Sequence, residues 1–122
     1  MSRGVTASLA FLAALAAACG DEPDELVVCT REARPGIVVE VRDSLTGAPR
    51  VSGTVGIARE ASYVDTLHGS DSLLSGVHER PGTYTVELTN PGYMNWRRES
   101  VRVEAGECHV VTVRLLARLV PR

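Results

Sequence analysis

The sequence predicts an all-β chain folded as an antiparallel β-sandwich, and three observations predict it. From residue 25 to residue 119, about six to eight short runs alternate apolar and polar side chains, the pattern of strands with one face on a core. Turn residues separate the runs, drawn from 11 Gly and 6 Pro. No segment after residue 25 carries the 3.6-residue apolar period of a helix. Valine is abundant and aromatics make up only 4% of the chain, a balance that suits short strands.

The N-terminus precedes that domain. Met1-Ser2-Arg3 carries a positive charge, and residues 5–18 form an uncharged, mostly apolar run. These are the two regions of a secretory signal peptide, over residues 1–18. The run is too short to cross a bilayer, which takes roughly 20 residues. Ala16-Ala17-Ala18 fits an ordinary signal-peptidase site. The same stretch resembles a bacterial lipobox, in which small residues precede a cysteine that is lipidated and then becomes the first residue. Here that cysteine is Cys19. The lipobox usually carries Leu three places before the cysteine, where this chain has Ala16, with Leu15 one place early. Asp21, Glu22, Asp24 and Glu25 then make residues 19–25 an acidic tether.

The strands follow in order. "ELVVCT" (25–30) is a short first candidate. In "GIVVEVRD" (36–43), Ile37, Val39 and Val41 share one face. "SLTGAP" (44–49) is a turn, and "VSGTVGIAR" (51–59) puts Val51, Val55 and Ile57 on one face, with Gly53 marking a bulge or close packing. "SYVDTL" (62–67) is a further strand, "HGSDS" (68–72) a loop, and "LLSGVHE" (73–79) is ambiguous. "GTYTVELT" (82–89) alternates most cleanly, with Tyr84, Val86 and Leu88 on one side. "NPGY" (90–93) is a turn. "ESVRVEAG" (99–106) turns Val101 and Val103 inward, and "CHVVTVRLLARL" (108–119) does the same with Val111, Val113 and Leu115.

Cysteine parity bears on the compartment. Export implies oxidising conditions, and the three cysteines, Cys19, Cys29 and Cys108, cannot all pair within one chain. With Cys19 lipidated, Cys29 and Cys108 form a disulfide between the first and last strands. The alternative is two buried thiols.

"GIVVEVRDSLTGAPRVSGTV", "ERPGTYTVELTNPGY" and "VRVEAGECHVVTVRL" together resemble the carboxypeptidase regulatory-like domain. Asp43 to Pro49 is similar to its "D-x-x-T-G-x-P" turn, Gly82 to Tyr93 to its "G-x-Y-x-V" strand and following turn, and Val101 to Leu115 to its closing hairpin. The resemblance covers residues 36–115 and implies a transthyretin-like (prealbumin-like) Greek-key sandwich of about seven strands, spanning residues 26–120. It also implies a surface module without chemistry of its own. The residues make sense unaided: Gly47 and Gly92 suit turns, and Tyr84 can bury its ring while its hydroxyl reaches a backbone carbonyl.

Catalytic patterns are missing from the sequence. His68, His78 and His109 lack zinc-ligand spacing. There is no G-x-S-x-G elbow and no phosphate loop. "DTLHGSDS" (65–72) lacks calcium-loop spacing. The expectation is no enzyme activity, no cofactor and no metal. Arg supplies all 13 basic residues against 15 acids, so no basic footprint for nucleic acid exists. The candidate binding face is "NPGYMNWRRES" (90–100), with Tyr93, Trp96, Arg97 and Arg98; aromatics beside Arg are enriched at protein contacts. The competing reading is that Tyr93 and Trp96 cap the core.

The sequence therefore points to a lipid-anchored protein of the cell envelope, on the outer-membrane or periplasmic face, with a structural or protein-interaction role. A carbohydrate-binding module on the cell surface is the alternative, and a subunit that regulates or folds a separate enzyme is a third reading.

Overall fold

A computed structural model describes residues 28–122, which hold eight strands and no helix. The expectations for residues 1–27, the signal peptide, the tether and lipidation of Cys19 among them, lie outside the described residues. The strands are β1 (Ile37–Asp43), β2 (Val55–Glu60), β3 (Tyr63–Ser70), β4 (Leu73–Gly76), β5 (Gly82–Thr89), β6 (Trp96–Ala105), β7 (Val110–Val111) and β8 (Val113–Leu119).

All eight join one sheet in the order β7-β6-β5-β2-β3-β4-β1-β8. The consecutive hairpins β2-β3-β4 with β1 returned beside β4 make a Greek key. Every pairing is antiparallel except β1 with β8, which run parallel over seven residue pairs. This departs from the purely antiparallel sheet expected, and strand direction explains it. Only Thr112 separates β7 from β8, too little chain for a reversal, so β8 keeps the direction of β7. Counting reversals along the sheet, that direction is also the direction of β1.

The same residue closes the sheet. β7 and β8 sit at opposite edges yet adjoin in sequence, so the edges must meet. Thr112 Oγ1 donates to the Pro35 carbonyl at 2.7 Å as the chain crosses over. At the other end the Met94 N–H donates to the Val120 carbonyl at 2.8 Å. The all-β fold is thus one sheet wrapped almost into a barrel, its two walls being halves of the same sheet.

One core fills it. Ile37, Val39 and Val41 from β1, Tyr84, Val86 and Leu88 from β5, Val101 and Val103 from β6, and Ala117 and Leu119 from β8 are all buried. β2 inverts its expected face: Val55 is 51% exposed, whereas Ala58 is buried and Gly56 faces inward with it. A Cβ on Gly56 would stand 2.9 Å from Leu88, 3.1 Å from Leu74 and 3.2 Å from Leu67. Three leucines from neighbouring strands fill that space, so the inward positions of β2 must be small. Val111 is likewise exposed, because it pairs with Glu104 on the outer face of β6, while Val110 turns inward.

Other boundaries shift. Residues 28–30 of the first candidate strand are not in a strand, and neither is Cys108. His68 to Ser70 extend β3 instead of forming a loop, and β6 begins at Trp96, three residues before the strand expected from Glu99. Gly47 has φ +74 in the turn after β1, a left-handed conformation that glycine adopts without strain. Gly53 lies in a turn, not a bulge, and Gly92 is outside the left-handed region, so its turn does not need glycine.

Candidate functional site

The molecule has two ends. β1, β5 and β8 start, and β6 finishes, at one end, with the disulfide; they finish, and β6 starts, at the other, with residues 90–96.

At that second end, Asn90 shapes the turn. Its Oδ1 accepts from the Gly92 N–H at 3.2 Å, and its Nδ2 donates to Thr54 Oγ1 at 3.0 Å. Tyr93 then lies half-buried against the core. Its hydroxyl donates to Asp43 Oδ2 at 2.7 Å and accepts from Arg50 Nε at 2.6 Å. The other Asp43 oxygen accepts from the backbone of Leu45 at 2.7 Å and Thr46 at 2.9 Å. Asp43 is the only buried polar or charged residue among those described. The Tyr93 hydroxyl foremost, then the Thr46 and Leu45 amides, hold its carboxyl down to about 2, against the opposing effect of burial.

Trp96 opens β6 opposite Leu88 and so shares its inward face. The ladder shifts register between Tyr84–Val101 and Val86–Arg98. Glu99 and Ser100 thus oppose Thr85 alone, a β-bulge in which Ser100 takes φ +56. The bulge sends Trp96 towards the core and leaves Arg97 outside. Trp96 is half-buried, and the Arg98 guanidinium stands 5.4 Å from its ring centre. Arg97 pairs with Glu99 at 2.9 Å and with Glu87 at 3.8 Å.

The four candidate residues therefore divide. Tyr93 and Trp96 cap the core, and Arg97 and Arg98 are exposed. Beside them run two shallow cavities, of about 330 Å³ and 170 Å³, that share Thr89 and Asn95. Asn95, exposed and without a side-chain hydrogen bond among the described residues, is not singled out by sequence. No pattern marks a lone exposed amide. With Trp96 packed inward and covered by Arg98, less ring is free for stacking on a sugar than the sequence allows.

At the first end, Cys29 and Cys108 form a disulfide, with Cα atoms 5.1 Å apart. It joins the start of the described chain to the bend between β6 and β7. Beside it, His109 Nδ1 lies 2.5 Å from Glu79 Oε1, and its Nε2 lies 2.9 Å from Thr30 Oγ1. Glu79 also accepts from the backbone of Arg34 at 2.8 Å and Val110 at 3.2 Å. These bonds, the Arg34 amide first, lower its pKa. Glu79 and His109 thus fasten the segment before β1. With their sulfurs bonded to each other, neither Cys29 nor Cys108 presents a free thiol beside His109.

A third cluster is scaffold. Tyr84 is 1% exposed and its hydroxyl donates to the Arg80 carbonyl at 2.8 Å, as its sequence position leads one to expect. The Arg80 guanidinium lies 3.7 Å from the Tyr63 ring centre and bonds Glu60 at 3.0 Å. His68 and His78 are exposed, and neither joins these clusters. Among the described residues no helix is long and apolar enough to cross a membrane. No protein-family model matches the chain, and no curated protein does.

Proposed function

We propose that this chain is a non-catalytic lipoprotein of the cell envelope, whose carboxypeptidase regulatory-like domain has a structural or protein-interaction role. The observation that carries the reading is the bond between Cys29 and Cys108. It uses two of three cysteines and leaves Cys19 over, at the end of the apolar run where a lipobox places its lipidated residue. A disulfide also fits an exported protein. The Greek-key winding and the Asp43-capped turn support the domain reading. The polar groups of the best-built clusters are spent on turns and strand ends, which supports a scaffold over a reaction centre.

The test is Cys19→Ser in the producing cell, followed by fractionation after a high-salt wash. The wild-type chain is expected in the membrane fraction and the variant in the soluble one, because stable anchoring takes more than a single weak signal. Intact mass should give a mature N-terminus at Cys19 carrying acyl chains. An unmodified Cys19 sinks the reading.

A further inference from the structure

We propose that the outer face of β8 is a contact surface for anionic lipid headgroups. The proposal rests on the envelope reading for its setting and not on lipidation of Cys19. A chain with formal charge −2 keeps three arginines and neither Asp nor Glu in residues 108–122. Alternation along β8 puts Arg114, Leu116 and Arg118 on one face, and all three are exposed. Neither Arg114 nor Arg118 forms an ion pair among the described residues. The strip is about 13 Å long at the usual rise per residue.

The neighbouring strand adds no free negative charge. Glu40 of β1, beside Leu116 in the ladder, is held by Arg42 at 2.6 Å. Past the end of β8 the face becomes apolar: Val120 is 49% exposed, and Met94, hydrogen-bonded to it through the backbone, is 57% exposed.

Charged side chains on an edge strand can serve simply to block edge-to-edge pairing. That role needs the arginines alone, whereas here Leu116 sits exposed between them at 41%. Guanidiniums flanking an apolar side chain suit the boundary between phosphates and acyl chains. An acidic protein would satisfy the charges but not this interleaving.

The test uses the full chain carrying Cys19→Ser, without acyl chains, in co-sedimentation with two kinds of vesicle. One is phosphatidylcholine alone, and the other contains about one-third phosphatidylglycerol. Binding is expected only to the anionic vesicles, and it should fall steeply in high salt. Arg114→Gln with Arg118→Gln should weaken it about 30-fold, at roughly tenfold or less per arginine. Arg59→Gln, an exposed cation on β2, should leave it unchanged. Circular dichroism checks that each variant is folded. Equal binding to both vesicles, or an undiminished double variant, overturns the proposal. A chain that ignores vesicles but binds polyglutamate overturns it in favour of protein docking. Any of these results leaves the salt-washed fractionation of Cys19→Ser standing, since that assay reads the acyl chains.

Discussion

At Asp43 a single carboxylate accepts two backbone amides of the turn after β1 and the hydroxyl of Tyr93, fifty residues on. Its pKa is lowered from 3.8 to about 2. A lowered carboxyl pKa contributes stability that is present above the unfolded value and lost as pH falls through the folded one. The window for Asp43 therefore runs from about 3.8 down to about 2. Tyr93→Phe removes the largest cause of the shift, so the acid-unfolding midpoint should move to higher pH. A circular-dichroism titration of the variant checks it, and a transition coinciding with the wild-type one would rule this role out. The turn over residues 44–49 was legible because Gly47 and Pro49 punctuate a chain by their own chemistry. The bond from Tyr93 was not, since no local pattern announces a partner so far along the chain.

β6 is the element in which the sequence pattern is least obvious. Val101 and Val103 set an alternation that, run backwards, brings Glu99 and Arg97 inward. The bulge at Glu99–Ser100 reverses it and brings Trp96 inward instead. Neither residue announces a bulge, and Ser100 adopts its positive φ because the ladder on both sides fixes it. β2 hid its inner face for a related reason. Its inward residues are small because leucines from β3, β4 and β5 occupy the space. Hydrophobic alternation reads size as burial and so picked the wrong side. For Trp96, half-burial sets the expected result. Trp96→Ala should cost about 2–3 kcal/mol in a urea melt, less than a fully buried aromatic ring loses. A loss near zero would mean the ring adds nothing to the core and would return it to the binding face.

For the whole molecule, the all-β class and the core strands β1 and β5 were readable from period-2 alternation. Neighbour relations were not, because alternation says which face is buried and nothing about which strand lies alongside. The parallel pairing of β1 with β8 follows only once Thr112 is seen to pass the chain from one sheet edge to the other. The disulfide was legible from cysteine parity and the expectation of export, even though its cysteines lie outside strands. It closes a loop with a sequence separation of 79 residues. In the chain-entropy account, such a loop contributes about 4 kcal/mol. Reduction should lower the melting temperature by a clear margin, measured by differential scanning calorimetry with and without reductant. Unchanged melting would show that the native contacts near Glu79 and His109 suffice.

The bridge between Cys29 and Cys108 also decides how the domain carries load. Tension arriving along the chain before Cys29 passes through the sulfurs to the bend between β6 and β7. Residues 30–36, between Cys29 and β1, carry none of that tension and keep their bonds to Glu79 and His109. The first strand, which a pull on the N-terminus would otherwise peel from β4 and β8, is shielded from it. A pull on the N-terminus would thus load the bend between β6 and β7 instead of the leading edge, and only reduction of the bridge would transfer the strain to β1.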